Sequence, residues 1–300
     1  MKPEAGYVLE DEPEGRTLVV TGAWSREAEE LLARGDADGL VLNYARGFCE
    51  GNLEFLDSRC PVRRLNVLDR GITDLEPIGR LRDSLQALSV QAAPNAELDL
   101  GDLPDLRSVA GEWDLISGTL GRLDALQSVI TWRFDEADLR AFRDHLGLTK
   151  LVVKEAPFLE TLAGVEDLHR LTVLQVIVAR ELVDISAVTE LGASLRELEF
   201  EGSPEISSLD GVEQLIGLTF LGIGDCGRID SLGPVGALAN LEALHAWGST
   251  RIVDGDLSPL MRLSYLTDLR MRDRREYRPR LSDVQAKLGQ GAGRQGRSRV

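Results

Sequence analysis

One hydrophobic pattern returns three times at an equal interval in the second half of the chain. The segments 195–200 (LRELEF), 218–223 (LTFLGI) and 241–246 (LEALHA) begin 23 residues apart, and apolar residues at every third position follow the segments. A period of this length is typical of chains in which each copy is one short structural unit stacked on its neighbours. The pattern therefore predicts one continuous array and not several separate globular domains.

The same register extends in both directions and gives about eleven copies at intervals of 20 to 25 residues. Variation of this size is expected in loops, which tolerate changes in length. The copy at Val109 is the weakest, because Gly111 stands where a second aliphatic residue belongs. The predicted strand cores are Leu40/Leu42, Leu65/Val67, Leu88/Val90, Val109, Val129/Thr131, Leu151/Val153, Leu174/Val176, Leu198/Phe200, Leu221/Ile223, Leu244/Ala246 and Leu269/Met271.

The spacing within one copy predicts two kinds of local structure. The last two core residues alternate with other residues, which indicates a short strand. The apolar residues at every third position indicate a 3₁₀ turn or short helix laid across the core. One copy cannot cover its own aliphatic side chains, but its neighbours can. Each buried side chain then contributes about 1.5–3 kcal/mol.

The two ends depart from the pattern, as terminal caps should. Residues 17–22 predict a strand, and Ser25 is a candidate N-cap for a helix over 26–35 that Gly35 closes. Residues 281–289 predict a short capping helix, and we expect disorder over 289–300. The predicted organisation is a cap at 1–39, the repeat array at 40–271, and a C-terminal cap with a basic tail at 272–300.

The signature after each strand is carried by segments such as 72–81 (ITDLEPIGRL), 206–215 (ISSLDGVEQL) and 229–238 (IDSLGPVGAL). Over roughly residues 40–271 the chain resembles the bacterial leucine-rich repeat family with short, internalin-like repeats. The resemblance implies an α/β leucine-rich repeat solenoid: a curved horseshoe with a parallel β-sheet on the concave face and short helices or 3₁₀ turns on the convex face. The asparagine that many such families place after the strand is mostly missing here. We found neither the export signal nor the surface anchor of secreted internalins, so we expect a cytoplasmic protein.

Charge is unevenly distributed along the chain, whose formal net charge is −16. Residues 272–300 carry nine Lys or Arg against three Asp or Glu, which leaves −22 on the rest. This negative charge on residues 1–271 repels nucleic acid, and it favours a basic partner that associates quickly and in a salt-sensitive way. Solubility alone would also account for the acidity.

The sequence contains no motif that predicts catalysis or a cofactor. Cys49, Cys60 and Cys226 are an odd number without metal-ligand spacing, so we expect reduced thiols. We find no Gly-rich phosphate loop, nucleophile elbow or His-Glu-x-x-His motif, and no apolar run long enough to span a membrane. The sequence therefore predicts a non-enzyme with no cofactor, no metal and no membrane contact.

The positions that alternate with the core leucines predict the binding surface. The central copies are unusually apolar there, which indicates a contact site unless a loop or the tail covers them; the residues are Ile130, Trp132, Val152, Val173 and Ile177. The predicted partner-binding residues are Ile130, Trp132, Val152, Lys154, Gln175, Ile177, Glu197, Glu199, Glu201, Phe220, Asp225, His245, Trp247 and Arg270.

Three neighbouring strands predict a notch within this surface. In order they present Glu197, Glu199 and Glu201, then Gly222 and Gly224, then His245 and Trp247. Glutamates on one wall and an indole on the other would hold an Arg or Lys side chain by ion pairing and cation–π contact over a glycine floor. The alternatives are a solvated acidic face, glycines that serve only a bend, and a Trp247 that packs on a loop.

These features predict a monomeric, non-catalytic protein-interaction module that binds a basic protein partner on its concave face. One alternative is an intracellular inhibitor or immunity protein for a basic toxin or nuclease. Another is a structural scaffold.

Overall fold

The computed structural model describes residues 6–295, in two compact units, Met1–Thr131 and Trp132–Val300. The strands are β1 (Tyr7–Glu12), β2 (Gly15–Val20), β3 (Gly39–Asn43), β4 (Arg64–Leu68), β5 (Ala87–Gln91), β6 (Ser108–Glu112), β7 (Ser128–Trp132), β8 (Lys150–Lys154), β9 (Val173–Ile177), β10 (Glu197–Glu201), β11 (Phe220–Gly224), β12 (Arg228–Ile229), β13 (Ala243–Ala246), β14 (Arg251–Ile252) and β15 (Asp268–Met271). The α-helices are α1 (Arg26–Ala33), α2 (Trp113–Leu120) and α3 (Leu281–Gln295).

The first unit is a sheet that begins with a hairpin. β1 pairs antiparallel with β2, and β2 to β6 then pair in chain order as parallel neighbours. β7 ends at the boundary between the units. The 3₁₀ turns of this unit are Tyr44–Arg46, Glu76–Leu81 and Leu100–Asp102.

The second unit repeats one arrangement with little variation. β8, β9, β10, β11, β13 and β15 pair as parallel neighbours in that order, and β12 pairs with β14 in a separate ladder. Leu174, Leu198, Leu221 and Leu244 are partners across successive strands, so the register does not slip. The 3₁₀ turns are Arg140–Phe142, Ser186–Leu191, Val212–Gln214, Pro234–Ala237 and Ser258–Arg262.

The aliphatic residues of the repeat form the core, as the sequence predicts. After β10, Ile206, Leu209, Val212 and Leu215 are all at most 1% exposed. The last predicted strand core, Leu269 and Met271, is only half-buried, because β15 has a paired neighbour on one side alone among the described residues. These observations confirm the leucine-rich repeat solenoid and its parallel sheet.

A left-handed residue follows β7 and each main strand of the second unit as far as β13. Four of these residues are not glycine and have φ between 51° and 61°: Arg133, Glu155, Val178 and Asp225. Gly202 and Gly248 hold the same place after β10 and β13. The ladder continues through this position, since Val178 N–H donates to the Glu201 carbonyl at 2.7 Å. The conformation costs a β-branched residue roughly 1–3 kcal/mol, so the surrounding ladder must impose it.

The N-terminal cap contains the predicted helix and one strand that the sequence reading did not identify. Ser25 accepts a hydrogen bond from Ala28 N–H at 3.2 Å, and α1 buries Ala28 and Leu32. The additional strand is β1. Its sequence, YVLEDE, does not alternate aliphatic with polar residues, so it lacks the pattern that predicts the other strands.

Helix α2 follows β6 directly, in the copy in which Gly111 is irregular. A Cβ on Gly111 would lie 2.7 Å from Ile116 Cγ2, so the missing side chain makes room for this helix. Glu112, at the end of β6, is buried and pairs with Arg70 at 2.8 Å.

The C-terminal helix is longer than predicted. α3 runs from Leu281 to Gln295, so the disorder expected over 289–300 is wrong for 289–295, and 296–300 lies outside the described residues. Its first turns bury Leu281, Val284 and Leu288. Within 6–295, no helix has both the length and the apolar character that crossing a membrane requires.

Two glycine substitutions should act in opposite directions on stability. Gly164 has φ +111°, and a Cβ there would run into the backbone of Leu139 and Arg140. Gly164→Ala should therefore lower the free energy of unfolding by at least about 2 kcal/mol. Gly118, inside α2, has no atom within 4 Å of its added Cβ, so Gly118→Ala should raise it by up to about 1 kcal/mol. Urea unfolding measures both, and a Gly164→Ala protein as stable as the wild type would contradict the close approach.

Candidate protein-binding face

The candidate site lies on the side of the second unit's sheet that faces away from the aliphatic core, here called the open face. The strand register aligns its residues in rows across the strands. In strand order the rows are Lys150, Val173, Glu197, Phe220, Ala243 and Asp268; then Val152, Gln175, Glu199, Gly222, His245 and Arg270; then Lys154, Ile177, Glu201 and Gly224. Neighbours in a row are about 4.8 Å apart along the sheet.

The predicted apolar strip is only partly present. Val173, Ile177 and Trp132 are half-buried on this face, but Val152 is 2% exposed and is not available to a partner. Val152 has a short side chain between Lys150 and Lys154 on β8 and lies opposite Gln175 of β9. The expectation of an exposed Val152 is therefore wrong.

Ile130 belongs to the first unit and has different surroundings. It borders a shallow cleft of about 350 Å³ over β3 to β6, where the side chains are short. The small residues of this cleft are Gly39, Ala87, Ser89, Ser108 and Ala110.

The glutamates of β10 share the open face as predicted. Glu197 is exposed, and Glu199 and Glu201 are half-buried. Burial raises the pKa of Glu199, and the charge of Glu201 raises it further, while His245 and Lys154 act in the opposite direction.

The predicted notch has no open glycine floor. Gly222 and Gly224 are both buried, because neighbouring side chains lie directly over them. A Cβ on Gly224 would be 2.7 Å from Trp247 Cε2, and one on Gly222 would be 2.9 Å from Glu199 Cγ. The glycines therefore seat the indole and the glutamate stem against the sheet. Trp247 keeps 40% of its surface exposed and forms a flat platform beside the carboxylates.

His245 is held in a network that sequence reasoning did not identify. Its Nε2 lies 2.9 Å from Asp268 Oδ2, and Arg270 also pairs with Asp268 at 2.9 Å. Phe220 packs edge to face with the imidazole, with ring centroids 4.9 Å apart. Hydrogen bonds from Arg270 and then His245 lower the pKa of Asp268. The register places Asp268 on the strand next to that of His245. The contact between the two depends on their side-chain conformations, which the sequence does not give.

Asp225 has a structural role. Its Oδ1 accepts a hydrogen bond from Ser249 N–H at 2.7 Å, and its own N–H donates to the Trp247 carbonyl at 3.2 Å. The carboxylate thus fixes the loop that carries Trp247. It acts on the open face by positioning the indole.

The described residues contain no cluster of metal-ligating side chains. Cys226 is buried and its thiol has a pKa raised by burial to about 12, so it is not a nucleophile at neutral pH. Cys60 is also buried, and Cys49 is exposed. The open face itself offers a partner charged side chains, hydrogen-bonding groups and the aromatic platform of Trp247.

Replacing Gly224 should displace the indole. Gly224→Ala puts a methyl group where Trp247 now packs, so overpacking should cost about 1–3 kcal/mol and turn the indole towards solvent. The tryptophan emission of the variant should shift to longer wavelength. The shift should vanish when the same change is made in a Trp247→Phe background, and its persistence there would contradict the contact.

Removing the charge of Glu199 should stabilise the protein in a pH-dependent way. The folded-state pKa is raised, so the folded state binds more protons than the unfolded state, and stability falls as pH rises from the unfolded pKa through the folded one. Glu199→Gln should therefore raise the free energy of unfolding near neutral pH. The gain should disappear below about pH 4, near the unfolded value. Denaturation across this pH range measures the effect, with the exposed Glu190→Gln as control; an equal gain in both variants would contradict it.

No protein-family model and no curated protein matches the sequence. Solved structures do resemble it. An internalin from Listeria monocytogenes shares 24% identity over 70% of this chain and 67% of its own, with a TM-score of 0.50. A leucine-rich repeat protein from Leptospira interrogans shares 18% identity over 83% of this chain, with a TM-score of 0.52.

This chain spans 59% of the length of the Leptospira structure. At this level of identity the likeness shows the fold alone. The chain has a leucine-rich repeat fold similar to those of bacterial internalin and leucine-rich repeat proteins.

Proposed function

We propose that the chain is a non-catalytic protein-interaction module whose second unit binds a protein partner on its open face. The observation that carries the proposal is the set of three glutamates on β10 beside the exposed Trp247 platform. Among the described residues, none of these glutamates makes an ion pair or a side-chain hydrogen bond. Three adjacent carboxylates repel one another, and a bound cationic group would relieve that repulsion.

The chemistry of the face favours a partner with exposed Arg or Lys residues. Glu199 and Glu201 supply carboxylates, and Trp247 supplies an aromatic surface suited to cation–π contact. Asp225 and Gly224 hold the indole in place before binding, which reduces the conformational entropy lost on association.

The acidity of the chain supports one narrower form of this proposal. A net charge of −16, concentrated before residue 272, would accelerate association with a basic toxin or nuclease. Such an inhibitor would show association rates that fall steeply with added salt, whereas a partner held by apolar contacts would not.

A triple substitution tests the assignment of the face. Glu199→Ala, Glu201→Ala and Trp247→Ala together should reduce recovery of the partner in affinity capture by at least about tenfold, because they remove two carboxylates and the aromatic anchor. A matched control changes two glutamates and one aromatic residue elsewhere, Glu190→Ala, Glu205→Ala and Tyr265→Ala, which are all exposed. Quantitative mass spectrometry measures recovery. Equal recovery by both variants would remove the open face as the binding site.

A further inference from the structure

Two strands of the open face carry opposite charges at matching positions. β8 presents Lys150 and Lys154, and β10 presents Glu197 and Glu201. The register aligns Lys150 with Val173 and Glu197, and it aligns Lys154 with Ile177 and Glu201. A cationic column and an anionic column thus run side by side with β9 between them.

Along the part that the structure describes, neither lysine makes an ion pair, and neither do Glu197 and Glu201. Arginines elsewhere are commonly paired, as Arg64 is with Asp38 at 2.9 Å. The backbones of β8 and β10 are two strand spacings apart, about 10 Å.

The strand between the columns is apolar at both ends. Val173 and Ile177 are half-buried, and Gln175 between them has no hydrogen-bond partner among the described side chains. Val152, between the two lysines on β8, has a short side chain and is buried. The result is a trough with an apolar floor, a cationic wall and an anionic wall.

The width of the trough selects the shape of what can lie in it. An α-helix with its side chains is about 10–12 Å across, which matches the separation of the walls. A helix can present an apolar stripe downward and a polar flank on each side at once. An extended segment cannot, because its side chains alternate between only two directions.

We propose that the partner element bound by the open face is an amphipathic α-helix lying along β9, with one acidic flank and one basic flank. Its apolar stripe rests on Val173 and Ile177. Its acidic flank pairs with Lys150 and Lys154, and its basic flank pairs with Glu197 and Glu201. A strand of five residues is about 17 Å long, so about three helical turns fill the trough.

This inference rests on the proposed function and refines it: the recognised element is charged on both sides, not uniformly basic. The charge complementarity also gives the helix a direction. Turning a helix end for end exchanges its flanks, so a peptide with its two flanks exchanged would still bind, in reverse. Useful controls therefore carry the same charge on both flanks.

The test uses three synthetic helical peptides of about 18 residues, a length at which helices with good formers are populated. All three share one apolar stripe and differ in their flanks: one acidic and one basic, both acidic, or both basic. Affinities are measured by fluorescence anisotropy against the full chain and two double variants. The variants are Lys150→Glu with Lys154→Glu, and Glu197→Lys with Glu201→Lys.

We expect the wild-type chain to bind the mixed peptide about tenfold more tightly than either uniform peptide, since each uniform peptide sets two like-charge contacts against two favourable ones. The lysine variant should prefer the basic peptide, and the glutamate variant should prefer the acidic one. A preference that changes in this direction also shows that each variant is folded.

Three results would overturn the inference. They are the same order of affinities for all three proteins, no saturable binding of any peptide, and a preference of the wild-type chain for a uniform peptide. If the wild-type chain prefers the basic peptide, the two-sided trough is wrong while a basic partner remains supported. A different result would contradict the proposed function: unchanged recovery of the partner by the variant with Glu199, Glu201 and Trp247 replaced.

Discussion

The structure depends on the fact that no single repeat can bury its own aliphatic residues. Leu221 and Ile223 of β11 are fully buried because β10 and β13 flank them, and the 3₁₀ turns cover the core from the other side. Stability is therefore shared between neighbours. β15, with one paired neighbour among the described residues, leaves Leu269 and Met271 half-buried.

The same constraint separates two kinds of position along each strand. Core positions are occupied by aliphatic residues in almost every copy, whereas the positions between them are free to carry charge. On β10 this freedom produces three adjacent carboxylates, and on β8 it produces two lysines. Because the core already supplies the folding energy, unpaired charges can persist on the open face at a cost of a few tenths of a kcal/mol to about 1 kcal/mol each.

Period-2 alternation made the sheet and its open face predictable. It identified the strand cores and placed Glu197, Glu199 and Glu201 on one side. Side-chain packing across strands was not predictable, because it depends on rotamers and relative lengths. Val152 is buried although it lies on the open side of β8, and Gly224 is covered because the Trp247 indole packs over it. β1 escaped detection because it has no buried alternation, and α2 because Gly111 gave no sign that it accommodates a helix.

The unslipped register between repeats has an evolutionary consequence. Each copy contributes three side chains to the open face, and the core that supports them hardly varies between copies. Exchange or duplication of a whole repeat would thus change the three side chains that one strand presents on the face while leaving the fold intact. Binding specificity in such a chain can change by recombination of whole repeats as well as by point substitution. The order of the repeats in the chain then sets the order in which their side chains contact a partner.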